Sequence, residues 1–250
     1  MDLRLLPFLF FAAGCAAPDT TGIKLIGHGG LGPNVDHPMN SREAVLAALD
    51  KGLDGVELDV QLTADTVLVA FHDLDLSVEG NCTGPVNTHT WKELRSCTND
   101  MPITGAHDVL LEAIRSHPGA EFTFDVKLNT KADWNTYLSR FARAIAALNA
   151  EPGLNGKIIV ECKVMEFLVL LKQLDAGIPV FLYCDDASTG IAEATKKGLD
   201  GITIDVDRLN TEQAQAVKAN GLQLTVFDVA GNRSKRRAVE LGADRIQVDQ

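Results

Sequence analysis

The stretch Gly52-Leu53-Asp54-Gly55-Val56-Glu57-Leu58-Asp59-Val60 opens on a tetrapeptide that returns as Gly198-Leu199-Asp200-Gly201, with a shorter echo at Gly242-Ala243-Asp244. Each copy follows a helix-like segment and immediately precedes an apolar run. That placement marks a tight helix-to-strand turn, the glycine serving as the C-cap. Working outward, strand-like runs fall near 24–28, 55–60, 121–126, 157–162, 179–184, 201–206, 223–229 and 245–249. Helical patterns separate them, for example Ser41 to Lys51, Trp134 to Asn149, Glu166 to Ala176 and Thr211 to Asn220. A further run at 66–72 follows a turn-like link at 62–66, and reads as a hairpin appended to the second strand. Eight strand-then-helix units predict an α/β fold, a (β/α)8 TIM barrel whose chemistry lies at the C-terminal ends of its strands. The chain ends at Gln250, directly after the eighth strand, so the expected barrel lacks its final closing helix or has it supplied otherwise.

Charged residues interrupt the apolar runs where a core would not tolerate them. His28 ends the first run, Glu57 and Asp59 sit inside the second, His72-Asp73 close the hairpin run, and Asp125-Val126-Lys127 close the third barrel run. Side chains two apart on a strand share a face. Glu57 with Asp59, and Asp125 with Lys127, therefore each present a polar pair to one side. Three carboxylates, two histidines and a lysine converging on one mouth describe a metal-dependent phosphate-handling site.

At 250 residues, with 46% hydrophobic and 23% charged, the chain suits one barrel domain over 23–250. A formal net charge of −11 argues against nucleic acid, whose backbone needs a cationic partner surface. Residues 1–15 read as a lipoprotein-type signal, with a short apolar stretch and small residues before Cys15, followed by a linker at 16–22; an ordinary cleaved secretion signal is the alternative. Either reading exports the protein, and the first anchors it in a membrane through lipid on Cys15, facing the periplasm or exterior. In an oxidising compartment Cys82 and Cys97, which flank a Gly, Asn and Thr-rich loop, are candidates for a disulfide, whereas Cys162 and Cys184 end apolar runs and are expected to stay free.

The ordered set Ile26-Gly27-His28-Gly29-Gly30, Pro38-Met39-Asn40-Ser41, Gly52 to Thr63, Val69-Ala70-Phe71-His72-Asp73 and Phe124-Asp125-Val126-Lys127 resembles the glycerophosphodiester phosphodiesterase family over roughly residues 23–130. The resemblance implies a barrel enzyme that hydrolyses a glycerophosphodiester to glycerol phosphate and an alcohol with one divalent cation, Mg²⁺ or Ca²⁺. It implies His28 and His72 as the catalytic acid and base, Glu57, Asp59 and Asp125 as metal ligands, and Lys127 as the phosphate-binding lysine. Two alternatives stand beside it: a phospholipase D-like enzyme acting on lipid headgroups, and a barrel that binds a phosphorylated ligand without turnover.

The chain departs from the family pattern in having Gly29 and Met39 where arginine and glutamate are usual, and Asp125 where glutamate is more common. One lost cation and one lost anion cancel, so the pair is expected to reshape the phosphate pocket rather than abolish it. Lys163, after the fourth barrel strand, is a candidate to restore the missing charge, and Phe227, near the end of the seventh, to wall the alcohol pocket.

Overall fold

The computed structural model describes residues 17–33, 36–78, 81–97 and 103–249; the signal segment read at 1–15, with Cys15, lies outside them. In chain order the elements are β1 (Lys24–Gly27), α1 (Arg42–Asp50), β2 (Gly55–Leu62), β3 (Leu68–Ala70), α2 (Trp91–Leu94), β4 (Thr104–Gly105), α3 (Ala106–Ser116), β5 (Glu121–Val126), α4 (Trp134–Asn149), β6 (Ile158–Cys162), α5 (Met165–Leu174), β7 (Val180–Tyr183), α6 (Ala187–Lys197), β8 (Gly201–Asp205), α7 (Thr211–Ala219), β9 (Gln223–Ala230), α8 (Gly231–Glu240) and β10 (Arg245–Asp249). Strands β1, β2, β5, β6, β7, β8, β9 and β10 pair in parallel in that order, and β10 pairs with β1 to close the barrel. This is the eight-stranded (β/α)8 architecture expected from the sequence.

The hairpin is also present: β3 lies antiparallel on the C-terminal half of β2. It carries more than the sequence suggested. The two-residue β4 adds to its outer edge, and Val69, Phe71, Leu76, Val86 and Leu94 pack into a small core of their own. Cys82 and Cys97 form a disulfide that ties this insertion together, with their Cα atoms 5.7 Å apart, while Cys162 and Cys184 are free.

The tetrapeptide repeat has a physical explanation at each position. Gly52 and Gly198 adopt φ of +86° and +65°, the left-handed conformation that ends a helix at little cost only for glycine. Gly55 and Gly201 start strands so close to their neighbours that a Cβ would lie 2.2 Å from the Glu121 carbonyl oxygen and 2.3 Å from the Phe181 ring. Between them, the aspartate joins strand starts. Asp54, Asp200 and Asp244 each accept a backbone N–H on a carboxylate oxygen, from Leu25, Val180 and Leu224 at 2.9, 2.9 and 2.8 Å. Their own amides donate back to the carbonyls of the same three residues, and their carbonyls accept from Glu121, Gln223 and Lys24 on the following strand. Three copies of one turn thus stitch the N-terminal end of the barrel.

Parallel register places the interior-facing positions level around the ring, with Asp59 beside Asp125 and Asp125 beside Glu161. The outward positions, such as Val56, Leu58, Phe122 and Phe124, are fully buried beneath the helices. The interior is polar: Glu57, Asp59, Thr123, Glu161, Thr203, Thr225 and Gln247 are all buried. Apolar packing is therefore concentrated between strands and helices, where Tyr137, Phe141 and Phe167 form an edge-to-face chain joining α4 to α5. That division leaves the barrel axis free for charged groups.

Replacing the turn aspartate should expose this stitching. Asp200→Ala leaves the buried Val180 amide without its partner and is expected to lower the unfolding free energy by about 1–3 kcal/mol, with Asp200→Asn costing less because an amide oxygen still accepts. Urea titration of both variants measures it; equal stability to wild type would show the carboxylate contact to be incidental.

Candidate active site

Four chain segments deliver the site to one end of the barrel. His28 follows β1, Glu57 and Asp59 project from β2, His72 follows β3, and Asp125 with Lys127 end β5. The alternation of side chains on these strands turns Glu57, Asp59, Asp125 and Lys127 to the interior. Lys127 makes the central contacts, its ammonium lying 2.6 Å from Asp125 Oδ2 and 2.9 Å from Asp59 Oδ1. Burial works against the lysine's charge, but the two carboxylates outweigh it and hold its pKa raised.

Asp59 has a second anchor. Asn40 donates from Nδ2 to Asp59 Oδ2 at 2.8 Å and accepts the Asp59 backbone N–H at 2.9 Å. Asn40 stands at φ +64°, a left-handed conformation that few residues other than glycine tolerate. Backbone strain and a two-point grip on a buried carboxylate make Asn40 part of the site. It lay in the motif at 38–41, but nothing local in the sequence assigned it this contact.

Sequence reasoning also missed Glu161. It projects from β6 into the interior, 2% exposed, and its carboxylate accepts from Thr203 Oγ1 at 2.8 Å and Gln247 Nε2 at 2.9 Å. These three residues come from β6, β8 and β10, the alternate strands that share a layer inside such a barrel. Glu57, Asp125 and Glu161 each offer an oxygen within 4.8 Å of the other two. The structure thus gathers Glu161 with Glu57 and Asp125 as a set able to hold a cation, while Asp59 contacts Lys127 and Asn40. The available signal was a lone glutamate in the apolar run Ile158-Ile159-Val160, the same signature that flagged Glu57.

So many carboxylates against one ammonium distort their protonation. Burial first, and then Asp59, Asp125 and Glu161, push the Glu57 carboxyl well above the usual range, although the Gly29 amide opposes this with a 2.9 Å bond. Burial raises Asp125 despite Lys127. Burial and Asp125 push Glu161 up to about 7. The donors are hard oxygens in a repelling cluster, and that environment suits a hard divalent cation and disfavours soft metals.

Both histidines are oriented by a carboxylate. His28 Nδ1 lies 3.0 Å from Asp249 Oδ1, and His72 Nδ1 lies 3.0 Å from Asp73 Oδ1. Each pairing leaves Nε2 as the nitrogen for chemistry. Asp249 comes from the end of β10, far from His28 in sequence, and Gly32 makes room for it: a Cβ there would sit 2.4 Å from the Asp249 carboxylate. His89, His107 and His117 pair instead with Thr83, Asp108 and Asp50 outside the site.

The two departures from the family pattern touch one another. Gly29 stands at φ +53°, and a Cβ on it would lie 2.6 Å from Met39 Cε. An apolar side chain thus lies across a glycine beside the Glu57 contact. A cavity of about 400 Å³ opens from the site, lined by His72, Asp125, Lys127, Lys163 and Tyr183 among others. Lys163 Nζ sits 4.4 Å from the centroid of Tyr183, whose ring stacks on Phe227 with centroids 5.0 Å apart. Both pocket candidates therefore meet, through a tyrosine the sequence analysis did not single out.

Comparison with known proteins places the chain in a family and a fold. Residues 28–250 match the profile of the glycerophosphoryl diester phosphodiesterase family. A glycerophosphodiester phosphodiesterase of Bacillus altitudinis is 42% identical over 72 residues, a segment that covers only 29% of this chain and 29% of that one. Among solved structures, a glycerophosphodiester phosphodiesterase from Parabacteroides distasonis superposes with a TM-score of 0.76 at 21% identity, covering 91% of this chain and 93% of that one. An Oleispira antarctica phosphodiesterase, solved in complex with its product sn-glycerol-3-phosphate, gives a TM-score of 0.76 at 18% identity over 90% of this chain and 92% of that one.

The raised carboxylates predict an inverted pH response. In chelator, the native state retains protons on Glu57, Asp125 and Glu161 that the unfolded chain releases near pH 4 to 5, so stability should fall as pH rises from there through about 7. Glu161→Gln should flatten that slope. Urea unfolding between about pH 5 and 7.5 checks both; a stability that climbs with pH over this window would contradict the protonation assigned here.

Proposed function

The chain belongs to the glycerophosphoryl diester phosphodiesterase family, and from that premise we propose that it hydrolyses glycerophosphodiesters to glycerol phosphate and an alcohol, with His28 and His72 exchanging the protons. The observation that carries this reading is the pair of imidazoles, each tied through Nδ1 to a carboxylate at 3.0 Å. A barrel that only bound phosphate would have no use for two oriented proton carriers.

The residues divide the work. One imidazole takes the proton from the attacking hydroxyl, supplied by water or by the neighbouring glycerol hydroxyl, as the new P–O bond forms. The other delivers a proton to the departing alkoxide as the old P–O bond breaks. Attack by the glycerol hydroxyl gives a cyclic phosphate that water then opens, exploiting proximity within the substrate. Asp249 and Asp73 fix the imidazole orientations and stabilise the imidazolium forms. Lys127, in the same cavity, brings positive charge to the phosphate. A divalent cation, Mg²⁺ or Ca²⁺, held by Glu57, Asp125 and Glu161 would supply charge neutralisation at the non-bridging oxygens. Beyond the barrel, we propose export by the segment at 1–15 and tethering to a membrane through Cys15.

Hydrolysis of glycerophosphocholine is the test. His28→Ala and His72→Ala should each depress turnover by about 10²–10⁴-fold with the fold intact, the usual contribution of one positioned proton-transfer group. Chelator should abolish wild-type turnover and Mg²⁺ or Ca²⁺ restore it. Wild-type rates in chelator would remove the metal from the reading, and full activity in either histidine variant would reassign that residue.

A further inference from the structure

Tyr183 ends β7 on the interior side, level in register with Thr203, whose hydroxyl reaches Glu161 inside the barrel. Its ring has the Lys163 ammonium over it and stacks on Phe227. Lys163 is itself held by Asp185 at 3.3 Å, and Asp185 by Arg208 at 2.7 Å. With the ring held by these two contacts, Tyr183 lines the cavity. Its hydroxyl makes no hydrogen bond to the described residues, and it is the one hydroxyl among those lining the cavity that also holds His72, Asp125 and Lys127.

The electrostatics of the cavity give an unpaired phenol a purpose. Lys127 already spends two of its contacts on Asp59 and Asp125, and position 29 carries no side chain. A phosphate entering beside those carboxylates needs a hydrogen-bond donor with no lone charge to be captured by them. The ammonium over the ring holds the phenol in place. We propose that the Tyr183 hydroxyl is a substrate-contacting group, held by Lys163 and Phe227 to hydrogen-bond a non-bridging oxygen of the phosphodiester. This rests on the phosphodiesterase reading for its substrate, though the contact itself is to phosphate.

The experiment is calorimetric titration of inorganic phosphate into the full-length protein saturated with Mg²⁺ or Ca²⁺, beside steady-state hydrolysis of glycerophosphocholine and a thermal melt. Tyr183→Phe keeps the ring and removes only the hydroxyl. It should raise the phosphate Kd, and KM with it, by about 10- to 100-fold at unchanged Tm, the value of one hydrogen bond to a charged partner. Lys163→Met leaves the hydroxyl in place and should raise the same Kd by about two- to fivefold through loss of the cation over the ring. Tyr183→Phe binding phosphate as tightly as wild type overturns the contact, even where wild-type hydrolysis stands. Tyrosine-dependent phosphate binding by a wild-type protein that hydrolyses nothing keeps the contact and removes the hydrolase reading. Wild type that fails to bind phosphate overturns both.

Discussion

The structure turns on like-charge repulsion inside a closed ring of strands. Glu57, Asp59, Asp125 and Glu161 all face the barrel interior, the first two and Glu161 buried and Asp125 partly so, and Lys127 is the cation placed among them. Such a cluster is unstable unless protons or a metal neutralise it. The surrounding residues manage it in two ways: Asn40 and Lys127 satisfy Asp59, while Thr203 and Gln247 satisfy Glu161. Glu57, Asp125 and Glu161 still gather their oxygens on one point. A fold can keep such an arrangement only if its stability is generated elsewhere, and here it lies in the apolar layer between strands and helices and in the aspartate turns at the opposite end.

That separation explains how the two ends of the barrel can serve different purposes. The N-terminal end repeats one glycine and aspartate turn three times, each copy fastening neighbouring strands through backbone groups. The C-terminal end repeats nothing. Each strand there contributes a different side chain, and the inserted hairpin, with its own small core and disulfide, carries His72 to the rim. Both histidines rely on a carboxylate for orientation, but the sources differ: Asp73 is adjacent to His72, whereas Asp249 reaches His28 only because β10 closes against β1.

Legibility in the sequence followed the range of the interactions. The barrel could be read because its signals are local: period-two apolar runs, helical spacing, and a turn whose glycines and aspartate act within a few residues. Glu57, Asp59, Asp125, Lys127 and both histidines stood out for the same reason, as charges at the ends of apolar runs. Asp249, Asn40 and Tyr183 did not, because their roles depend on partners brought together by closure of the ring. Glu161 was visible as a charged residue in an apolar strand, and only the register that sets it beside Asp125 showed which carboxylates gather. Neither β4, two residues long, nor the insertion's own core has a periodic signature of useful length.

Isothermal titration of Mg²⁺ or Ca²⁺ into chelator-treated protein near pH 6, repeated in buffers of different ionisation enthalpy, tests the central constraint. Because Glu57 and Glu161 hold protons there that a cation must displace, one ion should bind per chain with measurable proton release, and Glu161→Gln should weaken binding and reduce the release. Absence of binding, or binding whose heat is independent of the buffer, would contradict a proton-neutralised carboxylate cluster built to receive a metal.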